Sequence, residues 1–204
     1  MYPFQADAER CIQKLRVLKK HFMLKTIITS DHIVLRPLVK ADIENRVRWF
    51  NDPDVRKTLI ISDLFELEKT IRWFEKIQVD DSRVEFVIET TDKISVGVIG
   101  LAGIDSTHRT AEIYIVIGQK EFWGKGVMLE AERLLIEWAF NYLGLEKIWA
   151  QTRPDNIASL ITMKKIGFQI EGTLRNEKIV NGQRTTVLHL GLLREDFKPS
   201  HKQN

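Results

Sequence analysis

Two glycines one residue apart, Gly124 and Gly126, close the segment Glu121-Phe122-Trp123-Gly124-Lys125-Gly126. It separates the apolar run Ile113-Tyr114-Ile115-Val116-Ile117 from a helical pattern over residues 127–143. The order is strand, tight loop, helix. Without a Cβ at either glycine, the chain can turn so that successive backbone N–H groups at the new helix's N-terminus point at one anion. A phosphorylated ligand is the expectation. A Walker loop would need Ser or Thr after the lysine, where Gly126 stands, and a dinucleotide fingerprint would need a third small residue in place of Leu129. An ordinary helix-entry turn is the alternative reading of this segment taken alone.

The flanking pattern places the loop. A strand is predicted at Ile33-Val34-Leu35, and helices over 40–50 and 67–78, the first ended by Asp52-Pro53. Strands over 85–89, 96–101 and 112–117, joined by Thr91-Asp92-Lys93 and Asp105-Ser106-Thr107, suggest an antiparallel meander. In the next helix Ala131, Leu134, Leu135, Trp138, Ala139 and Tyr142 fall at the 3.6-residue period and Gly144 fits the position past its end. With a strand over 147–152 this makes a βαβ-like unit whose loop lies at the carboxyl end of a strand, where open α/β sheets bind ligands. Residues 5–25 read as a helix with Cys11, Leu15, Leu18 and Phe22 on one face and Arg16, Lys19 and Lys20 elsewhere. Its readings are a helix packed on the outside of the domain, a homodimer contact, or a membrane-surface helix.

Composition removes several classes. With 204 residues, 44% hydrophobic and 29% charged, the chain suits one soluble globular domain. Lys+Arg 31 against Asp+Glu 28 leaves +3 with no dense basic tract, which disfavours nucleic acid. Cys11, the single cysteine, permits no internal disulfide and reads as a buried apolar residue; a cytoplasmic location is expected. No Cys/His cluster has metal-ligand spacing. Early Asp7 and Glu9, and the lack of an apolar run of roughly 18 residues, argue against an export signal and a membrane span.

A second segment sharpens the reading. Asn156, Ser159, Lys165 and Gly167-Phe168 follow the strand over 147–152. Together with Gly124-x-Gly126 they resemble the GNAT family of acetyl-CoA-dependent N-acetyltransferases. Leu35-Arg36-Pro37-Leu38 with Asp42 looks like that family's first strand and turn. Trp49-Phe50-Asn51-Asp52-Pro53-Asp54-Val55-Arg56, Ile170-Glu171-Gly172-Thr173-Leu174-Arg175 and Asn181-Gly182 resemble its RimJ/RimL-type branch. The resemblance implies an α/β (α+β) fold: a GNAT-like central mixed, mostly antiparallel sheet flanked by helices, here with an extra N-terminal helix. The expected division is an extension over 1–29, one acetyltransferase domain over 30–198 and a polar tail over 199–204.

Acetyl transfer from a thioester to an amine needs a bound pyrophosphate, a placed thioester, a neutral amine and a proton for the departing thiolate. The pyrophosphate falls to the loop backbone at Phe122, Trp123, Gly124, Lys125, Gly126 and Val127, with the Lys125 side chain as rim charge or solvated lysine. The resemblance implies that the preceding strand splays from its neighbour, freeing backbone near Ile115 and Ile117 for the pantetheine amides. Asn156 reads equally as an N-cap and as a pantetheine contact. Glu121 departs from the Gln or Arg common in the family, which leaves the backbone cradle untouched.

Met163 occupies the family's usual proton-donor position, and a thioether has no proton to give. Ser159, one turn earlier, is the substitute donor, against a structural serine or solvent. Glu112, a carboxylate in an apolar strand, is the candidate base, since burial raises its pKa; the alternative is an exposed glutamate or one paired with Arg109. Glu171 is the second candidate. Trp49, Phe50 and Trp73 are candidate walls of an acceptor pocket, or core. The acceptor amine would belong to a small molecule, an amino sugar or a protein N-terminus. The rival reading is a non-catalytic acyl-CoA-binding or regulatory module.

Overall fold

Apolar residues recur on both faces of the strands between residues 84 and 117, so the sheet they build must be covered on both sides. In the computed structural model, which describes Lys20 and residues 22–199, it is. The strands are β1 (Ile28–Thr29), β2 (Ile33–Pro37), β3 (Val84–Thr90), β4 (Ser95–Asp105), β5 (Thr110–Ile117), β6 (Lys147–Thr152), β7 (Gln169–Val180) and β8 (Gln183–Leu193). They form one sheet in the order β1-β2-β3-β4-β5-β6-β8-β7. Among the described residues every neighbouring pair is antiparallel except β5 and β6. The mixed, mostly antiparallel sheet flanked by helices is the architecture expected.

Alternation along the strands sends side chains to two cores. Val87, Val98 and Val116 pack with Leu38, Trp49 and Phe50 beneath α1 (Ile43–Asn51), α2 (Pro53–Arg56) and α3 (Leu67–Ile77). Their strand neighbours Phe86, Ile99 and Ile113 pack with Leu135, Met163 and Phe168 beneath α4 (Val127–Trp138) and α5 (Ile157–Ile166). Asp52 starts α2 as well as ending α1. Its Oδ1 accepts from the N–H groups of Asp54 and Val55, and Pro53 fills the first helical position, where no N–H is needed.

Two periodicity readings need correction. Tyr142 is 69% exposed and does not share the core face of α4. A π-turn over Ala139–Leu143 follows α4, and its wider winding shifts the phase so that Phe140 is buried instead. Of the helix expected over 5–25, Cys11, Leu15, Arg16, Leu18 and Lys19 lie outside the described residues. The described residues at its expected end reverse the faces: Phe22 is 51% exposed, whereas Met23 and Lys20 are buried, and Lys20 Nζ donates to the Arg83 carbonyl at 2.7 Å. The carbonyl gives the ammonium a partner and the acids at Asp80, Asp81 and Glu85 offset its charge, so the long stem can lie in the interior.

Candidate active site

β5 and β6 are paired over three residues: Thr110 with Lys147, Ala111 with Ile148 and Glu112 with Trp149. Beyond Glu112 the strands part. Residues 113–117 stay paired to β4, and Ala150, Gln151 and Thr152 to β8, so the edges that would have faced each other carry no ladder between them. A cleft of about 910 Å³ occupies this opening and reaches both faces of the sheet. Ile115 and Ile117 line it, and their side chains pack in the core beneath α4.

The glycine loop stands at the cleft's mouth. Gly124 (φ 72°) and Gly126 (φ 84°) both take the left-handed conformation, and a Cβ on either would meet open space. Glycine is required for the backbone angle and not for want of room. Gly126 is the N-cap of α4 and offers no side chain to the helix's first N–H groups, which have no intrahelical partner. They and the helix dipole are free to hold an anion. Phe122, Trp123, Gly124, Gly126 and Val127 line the cleft, whereas Lys125 does not; its Nζ lies 5.5 Å over the Phe122 ring. The Ile117 carbonyl accepts from Trp123 Nε1 at 2.9 Å, which pins the loop to the strand end.

On α5, Asn156 Oδ1 accepts from the Ser159 N–H at 3.3 Å while its Nδ2 donates to the Thr58 carbonyl at 3.2 Å, so the N-cap also ties α5 to the segment after α2. Ser159 is buried, lines the cleft, and points its hydroxyl at Met163 Sδ, 3.9 Å away. Glu112 lies at the fork of the two strands. Burial pushes its carboxyl above the ordinary range, with Arg83 and Lys178 pulling it back. Arg109 is engaged elsewhere, with Glu146 at 2.5 Å and the Gly144 carbonyl at 2.8 Å, so the Arg109 pairing considered for Glu112 is not made.

Three candidates lie outside the cleft. Glu171 is bound to Lys147 at 2.6 Å and lies over the bare backbone of Gly191, where a Cβ would strike its carboxylate. Trp49 is 2% exposed and packs flat on Gly118, at the end of β5. Trp73 lies beneath the Arg46 guanidinium, 4.1 Å from its ring centre, while Phe50 does line the cleft. Sequence reasoning missed Arg46, Arg83 and Glu132, all of which line it. The available signal was a charge on a buried helical stripe: Arg46 between Ile43 and Phe50, and Glu132 between Ala131 and Leu135. Glu132 is 2% exposed, its Oε2 has no hydrogen-bond partner among the described residues, and burial raises its carboxyl to about 8.

An opened strand pair with a helix N-terminus at its mouth suits a phosphorylated acyl carrier threaded through the sheet. The profile of the acetyltransferase (GNAT) domain matches residues 32–169, and the chain belongs to that family. It is an acetyl-CoA-dependent N-acetyltransferase. It is 29% identical over 184 residues to the spermidine N(1)-acetyltransferase of Escherichia coli (strain K12), covering 85% of this chain and 92% of that one. The uncharacterized N-acetyltransferase YoaA of Bacillus subtilis (strain 168) is 30% identical over 161 residues, covering 76% and 90%. The crystal structure of spermidine N-acetyltransferase from Vibrio cholerae in complex with CoA and spermine superposes with a TM-score of 0.77 over 82% of this chain and 98% of that one. At 24% identity, that likeness concerns the fold.

Proposed function

We propose that the protein acetylates a primary amine by direct attack on acetyl-CoA, with the loop backbone from Phe122 to Val127 at the pyrophosphate and the splayed edge near Ile115 and Asn156 along the pantetheine arm. The observation that carries this reading is the position of Glu112, the last residue of β5 paired to β6 and therefore at the apex of the cleft. There Glu112 takes the proton of the attacking amine, directly or through a water, while the uncharged amine forms its bond to the acetyl carbon. Ser159 gives its hydroxyl hydrogen bond to the departing thiolate, the role that Met163 has no proton to fill.

The acceptor enters from the face of α1 and α3. There Ser62 Oγ donates to the Ile179 carbonyl at 2.8 Å and accepts from the Asn181 N–H at 3.1 Å, joining the segment after α2 to the β7–β8 hairpin. The hairpin, through residues 170–175 and Asn181-Gly182, and the stretch 49–56 that leads to the Ser62 segment resemble the RimJ/RimL-type branch, in which we place the chain. Its one cysteine suits work in a reducing cytoplasm. Among the described residues no helix is long and apolar enough to cross a membrane.

The test is release of free thiol from acetyl-CoA against amines of several classes, on the parent and on Glu112→Gln. Turnover that falls by roughly 10²-fold in Glu112→Gln with cofactor affinity retained is the expected result. Cofactor binding without turnover of any amine would overturn the enzymatic reading. Undiminished turnover in Glu112→Gln would overturn the assignment of the base.

A further inference from the structure

Arg46 is an unusual cation. It is 6% exposed, on the face of α1 that looks at the sheet, with its guanidinium carbon 4.3 Å from the ring centre of Phe50, 5.3 Å from Phe65 and 4.1 Å from Trp73. Among the described residues no hydrogen bond or salt bridge reaches it, and its Nε is buried without a partner. A guanidinium removed from water is ordinarily paired with an acid. Aromatic rings stacked on its plane offset part of the lost hydration and leave the in-plane N–H donors unmet. Those donors border the cleft, which Arg46, Phe50 and Phe65 all line.

The surrounding charges do not answer Arg46. Glu85, the acid that acts on it, is buried and accepts Arg83 Nη1 on its Oε1 at 3.1 Å, while its Oε2, without a hydrogen-bond partner among the described residues, makes no bond to Arg46. Its carboxyl is pushed up to about 7. Arg83 and Lys178 in turn both act on Glu112. Arg46, Arg83 and Lys178 thus line one cleft with the carboxylate at the fork, and Arg83 is the one paired with Glu85, at 3.1 Å.

We propose that Arg46 receives an anionic oxygen group, a carboxylate or a phosphate, carried by the acceptor, so that the amine acetylated here belongs to a molecule that is also an anion. The proposal rests on reading the α1 side of the cleft as the acceptor site. The flat edge of a guanidinium matches two oxygens of either anion, and Arg83, which acts on both Arg46 and Glu112, lines the same cleft. A polyamine would instead bring several cations to a cleft lined by Arg46, Arg83 and Lys178, whose acids are Glu112 and a Glu132 that burial raises to about 8, and like charges set side by side cost several kcal/mol. The spermidine relatives would then share fold and chemistry with this protein but not its acceptor.

The experiment compares acceptors that differ only in the anion: an α-amino acid with its amide, an amino sugar with its phosphate ester, and spermidine beside them. The anionic member of a pair should lead in kcat/KM by roughly 10²-fold. The carboxylate pair and the phosphate pair separate the two sources. Arg46→Met should erase the preference through the acceptor KM, Arg46→Lys should keep part of it, and the KM for acetyl-CoA reads any general damage. Equal use of both members, a lead for spermidine, or a preference that survives Arg46→Met would overturn the proposal and leave the acetyltransferase reading standing. Should no amine be turned over, calorimetry of succinate and of inorganic phosphate on the CoA-loaded parent and Arg46→Lys decides. Binding that weakens in the variant supports the anion site, and no binding to the parent overturns it.

Discussion

Three side chains show how far a residue's identity leads and where its surroundings take over. Asn156 was legible as an N-cap because its side chain answers an N–H three residues away, within the reach of local sequence. Glu171 was not legible: its partner Lys147 and its seat on Gly191 come from strands 24 and 20 residues distant, which only sheet register brings near. Glu132 looked like any helical glutamate until α4 turned it into the interior. Its carboxyl, raised to about 8, keeps its proton where the unfolded chain has released it, so the native state loses stability as pH rises from about 4.5 to about 8. Glu132→Gln, with no proton to lose, should therefore be more stable than the parent at pH 8, on the order of 2–4 kcal/mol, and close to it at pH 5. Urea unfolding at the two pH values measures this, and parallel pH dependence in the two proteins would contradict it.

At the scale of elements, local chemistry decided more. The loop was readable because only glycine takes φ 72° and 84° cheaply, and the start of α4 follows from that turn. A valine at 126 would have to bear the left-handed angle with a branched side chain, at a strain of about 1–3 kcal/mol, or unwind the helix's first turn. Gly126→Val should thus weaken acetyl-CoA at least 10-fold while far-UV circular dichroism stays native; unchanged affinity by calorimetry in a folded variant would remove the loop from the site. Leu35-Arg36-Pro37-Leu38 with Asp42 acquires its reason here as well. Arg36 donates to both oxygens of Asp42 at 2.8 and 2.9 Å and to Glu89 at 2.7 Å, locking the end of β2 to the start of α1 and to β3. Asp42 also accepts the Val39 N–H at 2.9 Å. Because this network is largely buried, Asp42→Ala should cost about 3–5 kcal/mol in thermal or chemical unfolding. A loss of less than about 1 kcal/mol would mean that Glu89 alone suffices.

For the whole molecule, the cleft is a property of pairing. Its walls come from both cores, α1 with the segment after α2 on one side of the sheet and α4 with α5 on the other, and Lys120 reaches from the loop to Asp52 and Asp54 across that divide, at 3.1 and 3.0 Å. A carrier bound through the sheet therefore touches both halves of the fold. Acetyl-CoA at 100 times its Kd should add roughly 2.7 kcal/mol to stability, raising Tm by about 5–10 °C in a single transition. A transition that splits, with one half insensitive to acetyl-CoA, would show that the two faces do not respond together.

By itself the sequence determined the order and kind of the main elements from β2 onward, though not β1 or α2, together with the two glycine-dependent steps at 124 and 126, the N-cap at Asn156 and the family. All of these rest on interactions within a few residues or on side chains whose chemistry admits few uses. Tertiary structure alone decided that β5 leaves β6 after Glu112, that Trp49 packs on Gly118 outside the cleft, and that Arg46, Arg83 and Glu132 enter it. The physical reason is that strand pairing and the phase of a packed helix are set by what lies across the sheet, and a one-residue change in either turns a side chain from solvent to interior.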